Sequence, residues 1–177
     1  MSKAVLISIR PKWVEKIASG EKTIEVRKTR PNLATPFKAY IYCSQGNDAR
    51  RLRGSWGKVI GEFACDRIYK IDKDSTDFLF KAGGLSVYKK AAEEKCALCV
   101  AMTDDELHGY LGHCQGYGWH ISDLLIYDQP RELSEFQRAT DLCDSCHAEY
   151  TWECTDCKKL GGDIKRPPQS WCYVKEG

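Results

Sequence analysis

No apolar run in the 177 residues is long enough to cross a bilayer, which takes about 20 residues. The opening stretch Ala4-Val5-Leu6-Ile7-Ser8-Ile9 is short, and no small-residue cleavage site follows it. It is read as a first strand rather than a leader, in a protein expected to be cytoplasmic. Excess charge is also lacking. The 27 basic and 25 acidic residues leave a net charge of +2, so whole-molecule charge does not argue for nucleic acid. Any affinity for phosphate must come from local clustering. Internal repeats and low-complexity tracts are absent, and parallel strand–helix–strand alternation is weak, which argues against a doubly wound sheet. What is present, 29% charged and 42% hydrophobic residues, is ordinary globular material, read as a single domain over residues 1–177.

Along the chain, Val5 to Ile9 is rich in β-branched residues and predicts a strand. Pro11 suits the first turn of a helix reaching about Ala18, with Trp13, Val14 and Ile17 on one face and Gly20 ending it. Strands are predicted at Thr23 to Arg27, Phe37 to Cys43, Val59 to Ile71, Trp119 to Tyr127 and Ser170 to Val174. Gly61 is expected to mark a bulge or a bend. From about Ser75 to Leu111 the pattern reads as helical, with Thr103 and Glu106 as a capping box for a helix ending near Gly109. Pro130 is expected to break the pattern. Strands early and late, with helices between, give an α+β chain, a small and mostly antiparallel mixed β-barrel with flanking helices.

The most informative segment is Gly20-Glu21-Lys22-Thr23-Ile24-Glu25-Val26-Arg27. A glycine turn releases the chain into a strand whose alternation sets Ile24 and Val26 on one face and Thr23, Glu25 and Arg27 on the other. Lys22 sits at the strand mouth. A cation, a hydroxyl, a carboxylate and a guanidinium then converge within roughly 7–10 Å. Lys and Arg suit a phosphate or carbonyl, and Glu accepts from a base amino group. A solvated strand face with a Glu–Arg pair is the plainer alternative.

Other candidates surround this segment. Arg10 precedes the first helix and can approach a phosphate at its N-terminus. Ser44 ends the strand that begins at Phe37. With Trp119 in the core, His120 and Ser122 share the opposite face, where His120 can donate or act as acid or base. Tyr42, Tyr117, Trp56 and Trp171 are stacking candidates. The stretch Ser44 to Gly57, with Arg50, Arg51 and Arg53, reads as an exposed basic loop that, with Lys58, suits a nucleic-acid backbone. Each of these also has an ordinary reading as a turn, surface or core residue.

Gly20-x-Lys22-x-x-Glu25-x-Arg27 resembles the signature of the ASCH domain family, whose members share a PUA-like β-barrel. The likeness extends to Arg10-Pro11-Lys12-Trp13, Gly57 to Phe63, Gly118 to Leu124, Tyr127-Asp128-x-Pro130 and Pro167 to Val174, in order. It implies a module that binds RNA or a nucleotide, sometimes a modified one, in a cleft beside the signature loop. It also implies an enzymatic alternative, an amidohydrolase of N-acylated cytidine nucleosides. In that branch a Lys, a Thr and a Glu act together. Lys22 matches the Lys, Glu25 stands where the branch has its Thr, Thr23 is displaced by one register position, and Glu62 is a loose match to the distal Glu.

Ten cysteines without a leader point to free thiols or metal ligands rather than disulfides. Cys143-x-x-Cys146 and Cys154-x-x-Cys157 supply four thiolates at the spacing of a structural zinc clip, an insertion spanning 140–162. His147 is an alternative ligand. Too few apolar residues surround the clip for it to fold without metal. Its surface offers a third functional reading, a protein-interaction module. Cys96 and Cys99, with His113 and Cys114, are either a second site or core cysteines. Oligomeric state is not legible.

Overall fold

The computed structural model describes residues 2–45, 56–72, 79–82, 85–88, 100–112, 114–139 and 162–177, of which 72, 79–82, 85–88 and 104 by backbone alone. The zinc clip at Cys143, Cys146, Cys154 and Cys157, the arginines 50, 51 and 53, and Cys96, Cys99 and His113 lie outside the described residues. The elements run β1 (Lys3–Ile9), α1 (Pro11–Ala18), β2 (Ile24–Arg27), β3 (Phe37–Cys43), β4 (Val59–Cys65), β5 (Ile68–Asp72), β6 (Leu79–Ala82), β7 (Leu85–Tyr88), α2 (Asp104–Leu111), β8 (Gly116–His120), β9 (Ser122–Arg131), β10 (Gln137–Arg138), β11 (Gly162–Asp163) and β12 (Trp171–Lys175). The fold class is α+β and mostly strand.

The strands form a seven-stranded sheet, β11-β10-β12-β1-β3-β4-β9, and a five-stranded sheet, β2-β8-β5-β6-β7. Neither strand order closes on itself among the described residues, so the barrel expected from the sequence is two open sheets here. The chain divides into two compact units. One comprises Met1–Pro11, Lys38–Glu62 and Leu125–Gly177, the other Lys12–Phe37 and Phe63–Leu124.

In the first unit β1 is central, antiparallel to β12 and parallel to β3. Its near-continuous apolar run is what a strand buried on both faces requires. Ala4, Leu6, Tyr40, Tyr42, Val59, Phe136, Ile164 and Val174 form its core cluster, so Tyr42 is core rather than a stacking platform. Gly61 answers to a close backbone approach. A β-carbon there would stand 2.4 Å from the Leu125 carbonyl oxygen, too near for any side chain. Pro130 does not interrupt β9. That strand runs on to Arg131 at the edge of its sheet, where a missing N–H costs no ladder bond.

In the second unit the register pairs Ile24 with His120, Glu25 with Trp119, Val26 with Gly118 and Arg27 with Tyr117. Ile68 faces Trp119, and Lys70 faces Tyr117. Paired residues share a face. One face therefore carries Ile24, Val26, Tyr69 and Ile71, which pack with Val100, Leu107 and Leu111 as the core. The other carries Glu25, Arg27, Tyr117, Trp119, Ile68 and Lys70. The helix α2 begins with the capping box read from the sequence, Thr103 with Glu106, and runs to Leu111 rather than Gly109. The helical reading from Ser75 fails at Leu79–Ala82 and Leu85–Tyr88, which are antiparallel strands. Gly83-Gly84 between two short runs is a hairpin signal that outweighs helix propensity there.

Candidate functional site

The turn at Gly20 (φ 78°) lies outside the range side chains readily adopt, and it sends the chain from α1 toward β2. The Lys22 N–H donates to the Lys16 carbonyl, and the Ile121 N–H donates to the Thr23 carbonyl, so both ends of this short connection are pinned. Lys22 then points inward. Its ammonium donates to the Val100 carbonyl at 2.7 Å, stands 3.5 Å from Glu25 Oε2 and lies 5.2 Å from the centroid of the Trp13 ring. Arg27 Nη2 meets the other Glu25 oxygen, Oε1, at 2.9 Å. One carboxylate is thus shared by two cations, one at each oxygen.

The three signature charges converge, as the alternation of the strand requires. They are not spread over an open hollow, which corrects the pocket expected from the sequence. Lys22 is 2% exposed, Glu25 5% and Arg27 6%. The cause is register: β8 lays Trp119 beside Glu25 and Tyr117 beside Arg27, and Phe37 meets the Trp119 ring edge-on at 5.7 Å. A pattern confined to eight residues holds no information about a strand roughly ninety residues away.

The chain leaves the β8 ladder at Ile121, so His120 ends β8 and Ser122 begins β9. The His120 ring pairs with Asp66 through Nδ1 at 2.6 Å, while the Ser122 hydroxyl donates to the Ala64 carbonyl. Thr23 is half-buried beside the signature. Burial pushes the neighbouring Cys65 thiol up to about 12, which leaves no reactive thiolate at neutral pH.

Arg10, Ser44 and Glu62 belong to the first unit. Arg10 is exposed, and the Ser44 N–H donates to the Ile9 carbonyl. Glu62 accepts from the Tyr127 hydroxyl at 2.5 Å and pairs with Lys38 at 3.1 Å. Burial pushes the Glu62 carboxyl up. The Tyr127 and Lys38 hydrogen bonds and the Lys38 and Arg131 charges outweigh it, leaving the group below its ordinary range. The same bond, added to burial, drives the Tyr127 phenol upward. Lys58 is paired with Glu132 at 2.7 Å. The Trp171 ring is half-buried against Tyr173, and Trp56 is half-buried.

A sequence model of the ASCH domain matches residues 7–105, more than half of the chain. No curated protein matches significantly. Similar solved structures include ASCH from Zymomonas mobilis, with 18% identity and a TM-score of 0.52 over 98% of this chain and 88% of that one. A Tyr-to-Phe mutant of the same protein has 18% identity and a TM-score of 0.52, covering 99% and 92%. Its Ser-to-Ala mutant has 18% identity and a TM-score of 0.51, covering 98% and 89%. At such identity the likeness bears on fold alone. No helix among the described residues is long and apolar enough to cross a membrane.

Proposed function

Because this chain belongs to the ASCH domain family, we propose that it binds RNA or a nucleotide, with the Gly20-x-Lys22-x-x-Glu25-x-Arg27 segment as the organising element of the site. The observation that carries this reading is the enclosed Lys22–Glu25–Arg27 network. Three charged groups held out of water are costly, and apolar residues of similar volume would pack there at least as stably. Such a network therefore supports a role in recognition more than one in stability. Enclosed as they are, the Lys22 ammonium and the Arg27 guanidinium act by positioning: Glu25 fixes both, and with them the turn and strand that present the ligand contacts. Thr23, His120 and Ser122, in the same unit as the network, remain proposed ligand contacts, and Arg10 and Ser44 remain proposed contacts on the sequence reading alone.

The test is Lys22→Met, measured by the anisotropy of a labelled single-stranded RNA and by competition with mononucleotides. Lys22→Met leaves the 2.9 Å Glu25–Arg27 pair intact, so the fold is expected to persist while affinity falls by about tenfold or more. Unchanged affinity in a folded Lys22→Met protein would count against the reading.

The hydrolase alternative, with Lys22, Glu25 and Glu62 as the catalytic set, is less well supported. A lysine that acts as base or nucleophile needs its lone pair. The partners of Lys22, a carbonyl, a carboxylate and an indole face, are those of an ammonium. Turnover of an N-acylated cytidine, lost in Lys22→Met, would replace the binding reading.

The spacing of Cys143, Cys146, Cys154 and Cys157 supports a structural zinc ion as part of the same proposal. The purified protein is expected to carry about one zinc per chain, by elemental analysis, and Cys143→Ser to lose it. A metal-free protein with the same melting temperature would dismiss the ion. A reducing, cytoplasmic setting suits Cys43, Cys65, Cys114 and Cys172, none of which is in a disulfide among the described residues.

A further inference from the structure

The polar face of the second sheet continues past the signature. Register sets Tyr117 beside Arg27 and Lys70 beside Tyr117, so three strands place a guanidinium, a phenol and an ammonium in one cross-strand row. Arg27 is enclosed, but the row opens beyond it. Around it lies a cavity of about 290 Å³ lined by Arg30, Ile68, Lys70, Gln115 and Tyr117. Arg30, Lys70 and Gln115 are exposed, and Tyr117 is half-buried. The Arg30 guanidinium stands 5.8 Å from the centroid of the Tyr117 ring. Among the described residues no carboxylate lines the cavity, so its charge is of one sign.

We infer that this groove holds one base and the adjoining phosphates of a single-stranded RNA segment. The inference rests on the binding reading above and narrows its ligand from a free nucleotide to a chain. Each feature has a matching part. Arg30 and Tyr117 form a preassembled cation–aromatic pair, and bases stack on aromatic rings and on guanidinium planes alike. Lys70 and Arg30 supply positive charge on both sides of the ring for a passing backbone. Gln115 offers a donor and an acceptor to a base edge. The volume falls just short of the roughly 300–1,000 Å³ of sites that engulf a whole small ligand, but it suits a single base whose neighbours stay outside.

The experiment uses the full chain, a labelled single-stranded RNA of about ten nucleotides, its duplex form, and a mononucleotide. The single strand is expected to bind more tightly than either of the others. Tyr117→Ala is expected to weaken it about tenfold, with Tyr117→Phe close to wild type because the ring remains. Arg30→Ala and Lys70→Ala should each weaken binding and reduce the slope of log affinity against log salt by about 0.7. The surface position of Arg30 and Lys70 leaves the fold undisturbed, which thermal melts verify. Strand affinity and salt slope unaltered in all three groove variants, with binding still lost in Lys22→Met, would overturn the groove and leave the signature site standing. A wild-type protein that binds none of the three probes would overturn both.

Discussion

Replacing Glu25 by alanine is expected to lower the unfolding free energy by about 3–5 kcal/mol, the scale seen when one partner of a buried ion network is removed and the other is left behind. Glu25 is 5% exposed and meets Lys22 through one oxygen and Arg27 through the other. Its loss strips two buried cations of their shared counter-charge at once. Natural domains hold about 5–15 kcal/mol in reserve, so the expected loss is a large share of the total. For a chain of this size it corresponds to a melting temperature lower by about 6–20 °C. Urea denaturation measures it. Lys22→Met is the informative contrast, because it removes one cation and leaves a balanced pair, so its cost should stay at about 1–3 kcal/mol, that of leaving the Val100 carbonyl without its donor. Should Glu25→Ala prove no more costly than Lys22→Met, the carboxylate is not the keystone of the network.

That asymmetry separates what the sequence could reveal from what it could not. Strand alternation correctly put Glu25 and Arg27 on one face and Ile24 and Val26 on the other, because side-chain period along a strand is a local property. Whether the charged face is wet is not local. It depends on Trp119 and Tyr117 arriving from β8 in register, and on Trp13 reaching back from α1 toward Lys22. The same division explains the groove. Tyr117 was legible as a stacking candidate, since any aromatic among polar neighbours is one, but Arg30, Lys70 and Gln115 carry no sequence pattern. Pairing alone assembles them. The hairpin of β6 and β7 is illegible for a different reason. The Lys-, Ala- and Glu-rich stretch from Lys89 to Lys95 favours helix and masks the Gly83-Gly84 signal before it. Both caps around the signature were readable, Pro11 at the start of α1 and Gly20 after it, because capping chemistry is fixed by one or two residues.

Trp119→Ala should destabilise the protein by a comparable amount, about 3–5 kcal/mol, through the cavity left by a large side chain that is 0% exposed. Two things distinguish this loss from ordinary core truncation. The indole lies on the charged face, paired across the strands with Glu25 on one side and Ile68 on the other. It also supplies the ring that Phe37 meets edge-on. Removing it admits water to the side of the Glu25 carboxylate, so the two residues should not behave as independent sites. In a double-mutant cycle by urea denaturation, Trp119→Ala and Glu25→Ala together are expected to cost less than the sum of the singles, with a coupling of about 0.5–3 kcal/mol. The physical reason is that the indole strengthens the ion network by keeping the local dielectric low, and once the carboxylate is gone that part of its contribution has nothing left to act on. Trp119→Phe, which keeps an aromatic surface beside Phe37, should recover part of the stability. Additivity within about 0.3–0.5 kcal/mol would mean that the indole merely fills space and that the enclosure of the signature charges owes nothing to it.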